Sequence, residues 1–135
     1  MIFGIGTDIL EISRIEKILK KYNQTFVNRI FGYNEIEIFK KKSKNSSLFL
    51  GKRFAAKEAA WKALSPIRGH GLAFKEIEIL NNSNGKPYFF FSGSTKNYLM
   101  NKEKELNNKL IFDISISDEP PYVLAFVVIS LAPLV

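Results

Sequence analysis

The chain has no cysteine and only one histidine, His70. Disulfides, thiolate metal sites and histidine-rich metal centres are therefore excluded, and an intracellular, cytoplasmic location is expected. It also lacks a run long enough to span a bilayer. The most apolar stretch, Tyr122 to Val135, has fourteen residues and includes Pro133, whereas a spanning helix needs roughly 20. No basic region precedes the first apolar run, and Asp8 and Glu11 interrupt it, so no signal peptide is expected. There is no internal repeat with a strong period. Nucleic-acid motifs are absent, and the aromatics fall at core-like spacings rather than between basic residues, so nucleic acid is not the expected partner. Acidic residues are in deficit: 13 against 20 Lys and Arg give a net charge of +7. That balance points to an anionic partner, such as a phosphorylated small molecule or an acidic protein. Sixteen of the basic residues are Lys and four are Arg, and Ile and Asn are plentiful, a bias that an AT-rich genome would also produce.

What remains is material for one core. The 135 residues include twelve Phe, five Tyr and one Trp, enough for one domain over residues 1–135 to bury most of its apolar surface. Ile2 to Ile9 reads as a strand with Phe3, Ile5, Thr7 and Ile9 on one face and Ile2, Gly4, Gly6 and Asp8 on the other. Two glycines on one face mean that another element packs close to that backbone. A capping box at Ser13 and Glu16 opens a short helix to about Tyr22. Helical pieces follow at Thr25 to Phe31 and, capped by Asn34 with Glu37, at Glu35 to Lys42. Lys41 to Ser47 reads as a basic, mobile loop. A long helix then runs to Leu64, where Ser65, Pro66 and two glycines end it. Strands are predicted at Leu72 to Leu80, Tyr88 to Phe91, Leu110 to Ser117 and Tyr122 to Leu131, with a helix at Ser94 to Leu106 between the two hairpins. The hairpins imply an α+β domain with a largely antiparallel sheet wrapped around a long central helix. The last strand is almost wholly apolar, which predicts cover on both faces and favours an oligomer.

The long helix has an unusual surface. At about 100° per residue, Leu50, Phe54, Trp61 and Leu64 form a bulky stripe, and Ala55, Ala56, Ala59, Ala60 and Ala63 form a second, small-residue stripe. Glu58 and Lys62 fall in the gap between them. An i,i+4 ion pair is one reading of these two, worth roughly 0.2–0.5 kcal/mol. The other is that charges drawn partly out of water have a task. Asp8 can be a turn residue at the end of its strand. If that strand end meets the long helix, Asp8 and Glu58 can instead share one hard cation, since Mg²⁺ is typically held by one or two carboxylates with waters and substrate phosphates. Arg53, Lys57, Lys62 and Lys86 are the cations expected around them for polyphosphate oxygens.

Gly4 to Ile15 (G-I-G-T-D-I-L-E-I-S-R-I) and Phe49 to Leu64 (F-L-G-K-R-F-A-A-K-E-A-A-W-K-A-L) together closely resemble the holo-[acyl-carrier-protein] synthase family, the short homotrimeric branch of the 4′-phosphopantetheinyl transferases. Asn84-Gly85-Lys86-Pro87 and Ser115-Ile116-Ser117 fit the same family. The resemblance implies transfer of phosphopantetheine from coenzyme A to a serine of apo acyl carrier protein, in fatty acid biosynthesis, with adenosine 3′,5′-bisphosphate leaving. It implies that Asp8 and Glu58 hold Mg²⁺ and that Lys62 acts on the leaving phosphate. Glu58 or a metal-held water would be the base for the serine. It implies that Arg53 and the Asn84-Gly85-Lys86-Pro87 turn contact coenzyme A from a neighbouring subunit, with Lys44 on the 3′-phosphate. Arg14 would meet acidic residues of the carrier protein, and three sites would lie at the trimer's interfaces. The chain departs from the pattern at three places. Ser65-Pro66-Ile67 replaces a G-T-G-like loop that lines the coenzyme A site, Asn45 replaces an Arg, which weakens the expected grip on the 3′-phosphate, and Asp118 replaces a His, so no His contact is carried over.

Overall fold

The structure is a computed structural model and describes residues 1–42, 44, 46–66 and 72–134. Asn45, Ile67 and His70 lie outside the described residues. The chain runs β1 (Ile2–Glu11), α1 (Ile12–Tyr22), α2 (Gln24–Ile30), α3 (Tyr33–Lys40), α4 (Ser46–Leu64), a single 3₁₀ turn (Phe74–Glu76), β2 (Ile77–Asn81), β3 (Pro87–Phe91), α5 (Gly93–Leu106), β4 (Lys109–Glu119) and β5 (Tyr122–Ala132). The strands form two antiparallel sheets, one in the order β1-β5-β4 and the other β2-β3. α4 lies between them, packed on β1 and β5 on one side and touching β2 on the other. The α+β architecture around a central helix is as expected, with the sheet divided in two.

The two stripes of α4 meet different neighbours. Its alanines, Ala55, Ala56, Ala59, Ala60 and Ala63, are all buried. Gly4 and Gly6 of β1 lie directly against this stripe: a Cβ on Gly4 would overlap the Ala63 carbonyl, and one on Gly6 the Ala59 carbonyl. In the register of β1 with β5, Gly4, Gly6, Asp8 and Leu10 pair with Ile129, Val127, Ala125 and Val123, and those four β5 side chains are fully buried beneath α4. The bulky stripe packs the other way. Phe54 and Trp61 both meet Phe74 edge-on, at ring centroid distances of 6.2 and 5.1 Å, and Phe54 also meets Phe26.

Four local readings change. α1 begins at Ile12, one residue before the expected cap, because β1 runs straight into it and the Ile12 N–H donates to the Pro121 carbonyl at 2.8 Å. α3 is capped at Gly32 by the Glu35 carboxylate at 3.0 Å, while Asn34 turns to Glu78 at 3.0 Å. The predicted strand over Leu72 to Leu80 starts only at Ile77, and the break in its alternation is the 3₁₀ turn. β5 is buried on one face only within the chain. Leu124 and Phe126 on the outer face are 43% and 40% exposed, beside Ile5 and Ile9 of β1 at 53% and 65%.

Lys57 requires a further correction. It is not a surface cation waiting for phosphate but is fully buried on the bulky stripe. Its ammonium donates to Glu35 at 2.7 Å and to the carbonyls of Phe74 and Ile77 at 2.8 and 2.6 Å. Glu35 also accepts from the Ile79 N–H at 3.0 Å, and buried Glu78 accepts from the Glu35 N–H at 2.9 Å. Burial pushes Lys57 down and Glu35 up, each opposed by the other's charge. The cluster satisfies its donors and acceptors and ties α3, α4, the 3₁₀ turn and β2 together.

Two stability tests follow. Gly6→Ala is expected to cost about 3 kcal/mol, since the clash is with backbone that cannot rotate away, and to lower the thermal midpoint by roughly 10 °C. A midpoint within about 2 °C of the parent, equivalent to roughly half a kcal/mol, would show that the contact is loose. Lys57→Met is expected to cost about 3–5 kcal/mol in urea unfolding, because Glu35 would be left charged and unpaired in the core. A loss below about 1 kcal/mol would mean that the pair is solvated.

Candidate active site

Three of the predicted site residues come together where β1 crosses α4. Asp8 is the side chain after Gly4 and Gly6 on the inward face of β1, so the close approach of that face to α4 carries it to the helix. Lys62 is one turn beyond Glu58 and bridges to the strand. Its ammonium donates to the Thr7 carbonyl at 2.9 Å and lies 3.3 Å from Asp8 Oδ1. The ion pair of Lys62 is thus with Asp8 on a different element rather than with Glu58 along the helix. Lys62 remains 55% exposed, so its ammonium can reach a ligand in solvent.

Glu58 is half-buried, and its carboxyl is raised above the ordinary value of 4.5. Burial is the main cause and the charge of Asp8 the second, with Lys62 and Arg14 acting in the opposite direction. Arg14, exposed on the first turns of α1, is therefore close enough to be felt at Glu58. The charge of Asp8 is thus felt at Glu58, and packing holds the two acidic side chains near each other against their repulsion. This hard oxygen pair fits a divalent cation such as Mg²⁺, which takes few protein carboxylates. Among the described residues, no group of three or more acidic or histidine side chains is placed to hold a metal ion.

The remaining predicted residues lie elsewhere on the chain. A cavity of about 530 Å³ is lined by Arg53, Gly85 and Pro87 together with Lys42, Lys52 and Phe49. Arg53 is buried, with its guanidinium stacked 3.7 Å over the Phe49 ring, and burial lowers its pKa to about 10. The turn at residues 82–86 is closed by Asn82, whose side-chain oxygen accepts from the N–H groups of Asn84 and Lys86 at 2.9 and 3.0 Å. Gly85 has φ +83, a conformation natural only to glycine. Lys86, Asn84 and Lys44 are exposed. Arg53 and Glu58 are five residues apart on α4, about 140° around the helix, so one chain does not aim both at one point.

Lys42 and Lys52 also line this cavity; Lys42 falls in no motif, and Lys52 lies within the Phe49 to Leu64 motif but has no role assigned by the resemblance. Lys52 pairs with Asp118 at 3.0 Å, which gives the residue replacing the family's His a different task. A signal was available for Lys57: it stands three residues after Phe54 and four before Trp61, inside the bulky stripe.

Comparison with known proteins gives concordant findings. A family model described as the 4′-phosphopantetheinyl transferase superfamily matches residues 4–127. The chain is 46% identical over 131 residues to the holo-[acyl-carrier-protein] synthase of Orientia tsutsugamushi (strain Boryong), covering 96% of this chain and 98% of that protein. The crystal structure of holo-[acyl-carrier-protein] synthase from Neisseria meningitidis superposes with a TM-score of 0.83 at 40% identity, covering 96% of this chain and 99% of that one. A holo-(acyl-carrier-protein) synthase from Bacillus anthracis, solved in complex with CoA (3′,5′-ADP), superposes with a TM-score of 0.74 at 35% identity, covering 98% of both chains.

The opposed carboxylates can be tested directly. In metal-free protein, an NMR titration of Glu58 should give a midpoint above 4.5. Asp8→Asn should lower that midpoint and Lys62→Met should raise it. A midpoint that ignores Asp8→Asn would mean that the two carboxylates do not face each other.

Proposed function

The chain belongs to the 4′-phosphopantetheinyl transferase superfamily, and on that premise we propose that it is a Mg²⁺-dependent holo-[acyl-carrier-protein] synthase. It transfers the 4′-phosphopantetheine group of coenzyme A to a serine of apo acyl carrier protein, in the cytoplasm and in the service of fatty acid biosynthesis. The observation that carries this is the meeting of Asp8, Glu58 and Lys62 at the wet edge of an otherwise buried helix. Relatives that match nearly end to end are named for this reaction, and structures of such enzymes have been solved with coenzyme A. The shared core of the described residues supports reading residues 1–135 as one transferase domain.

The serine oxygen attacks the β-phosphorus of coenzyme A, the bond from that phosphorus to the bridging oxygen breaks, and adenosine 3′,5′-bisphosphate departs. Asp8 and Glu58 would hold the Mg²⁺, which when bound neutralises charge on the pyrophosphate. Glu58, or a water held by the metal, would take the proton of the serine hydroxyl. Lys62 swings from Asp8 to the leaving phosphate and stabilises or protonates it. Arg14, exposed beside Glu58, meets an acidic side chain of the carrier. Arg53 and the Asn84-Gly85-Lys86-Pro87 turn, with Lys44, hold coenzyme A from a neighbouring subunit. The apolar outer face of β1 and β5, with Ile5, Ile9, Leu124 and Phe126 exposed, supports a homotrimer that covers it and joins the two halves of each site.

Mass spectrometry of apo carrier protein incubated with the enzyme, coenzyme A and Mg²⁺ should show one phosphopantetheine added to its serine, and chelation should stop the reaction. Asp8→Ala and Glu58→Ala should each reduce kcat by about 10³-fold or more with the fold intact. Lys62→Ala should cost roughly 10²-fold in kcat, with a smaller change in coenzyme A affinity. An unmodified carrier protein would refute the activity, and full turnover by Asp8→Ala or Glu58→Ala would refute the metal assignment.

A further inference from the structure

The side chain of Asn81, the last residue of β2, connects two parts of the coenzyme A half-site. Its oxygen accepts from Arg53 Nη2 at 2.6 Å, and its amide nitrogen donates to the Gly85 carbonyl at 2.9 Å. Arg53 has little else to fix it. Nη1 reaches the Phe49 carbonyl at a long 3.5 Å, the guanidinium rests on the Phe49 ring, and Nε is buried without a hydrogen-bond partner among the described residues. The turn that contains Gly85 is otherwise closed on itself through Asn82. Asn81 is thus the polar side chain that joins the arginine to the turn, and both line the same cavity of about 530 Å³.

We propose that Asn81 is a positioning residue for coenzyme A, one that fixes Arg53 and the 82–86 turn relative to each other while leaving the guanidinium charge free for the ligand. This rests on the reading of Arg53 and that turn as coenzyme A contacts. The residue type matters because the two bonds have opposite polarity. A carboxamide supplies one acceptor, for the guanidinium, and one donor, for the carbonyl. It is also neutral, so it orients Arg53 without cancelling its charge. Aspartate would keep the acceptor but form an ion pair with Arg53, set an oxygen against the Gly85 carbonyl, and repel an anion entering the cavity. Asn81 itself is exposed, so changing it removes little from the core.

The test is calorimetric titration of coenzyme A into the parent, Asn81→Ala, Asn81→Asp, Arg53→Ala and the Arg53→Ala/Asn81→Ala double variant, with steady-state kinetics alongside. Asn81→Ala should weaken coenzyme A binding about tenfold and raise KM in parallel, with kcat at saturating coenzyme A little changed. Asn81→Asp should be weaker still, although it keeps the hydrogen bond to Arg53. The double variant should bind no more weakly than Arg53→Ala, because Asn81 acts through Arg53. A purely structural role predicts the reverse, with aspartate milder than alanine and additive losses in the double variant, and that result would overturn the proposal. Parent-like binding by both Asn81 variants, with Arg53→Ala impaired, would overturn it alone. A parent protein without coenzyme A affinity would remove the functional reading and this inference together.

Discussion

The contact on which the site depends is between backbones. Gly4 and Gly6 present bare Cα atoms to the carbonyls of Ala63 and Ala59, and no side chain fits between strand and helix there. Small residues on both elements permit this approach, and it brings polar side chains at the edge of the contact within reach of each other. Asp8 follows two residues after Gly6 on the same face, and Glu58 and Lys62 flank the alanine stripe. A larger residue at either glycine would move the strand outward and with it one of the two carboxylates. The spacing of the site is therefore set by packing, and the charges make use of it. Burial first, and the nearby charge of Asp8 second, raise the carboxyl of Glu58.

The buried Lys57–Glu35 pair supports the opposite side of the same helix. A buried ion pair is a poor source of net stability, since desolvation offsets its attraction, but it demands particular partners. Lys57 reaches two backbone carbonyls before and within β2, and Glu35 reaches the Ile79 N–H. These bonds fix β2 against α4, and β2 ends at Asn81, beside Arg53. One face of α4 thus places the carboxylates and another places the hairpin with the cavity. The helix is a shared wall, and its two sides face different parts of the proposed trimer's sites.

Much of this was legible in the sequence because the relevant signals are local. Glycines alternating on one strand face, alanines clustered on one side of a strong helix, and a Glu and Lys one turn apart are each visible within a few residues. The misreadings arose where a long-range partner competed with a local one. Ser13 and Glu16 form a plausible capping box, yet α1 starts earlier because Pro121 accepts the first N–H. Glu35 stands in the sequence only as the first residue of a short helix, although the Gly32 cap, β2 and Lys57 all converge on it. Lys57 was grouped with the phosphate-binding cations because it is charged and adjoins Glu58, although its position between Phe54 and Trp61 assigns it to the core.

The sequence by itself determined the order of the main elements, a close approach to the glycine face of β1, the candidate carboxylates and the family resemblance. Each of these rests on residue type and spacing along the chain. Only the tertiary structure decided which partner each charged side chain takes. Lys62 goes to Asp8 rather than Glu58, Lys57 to Glu35, Lys52 to Asp118, and Arg53 to Asn81. A charged side chain in sequence has many permissible partners, and the choice is made by which elements the packing brings together and how much water it leaves between them.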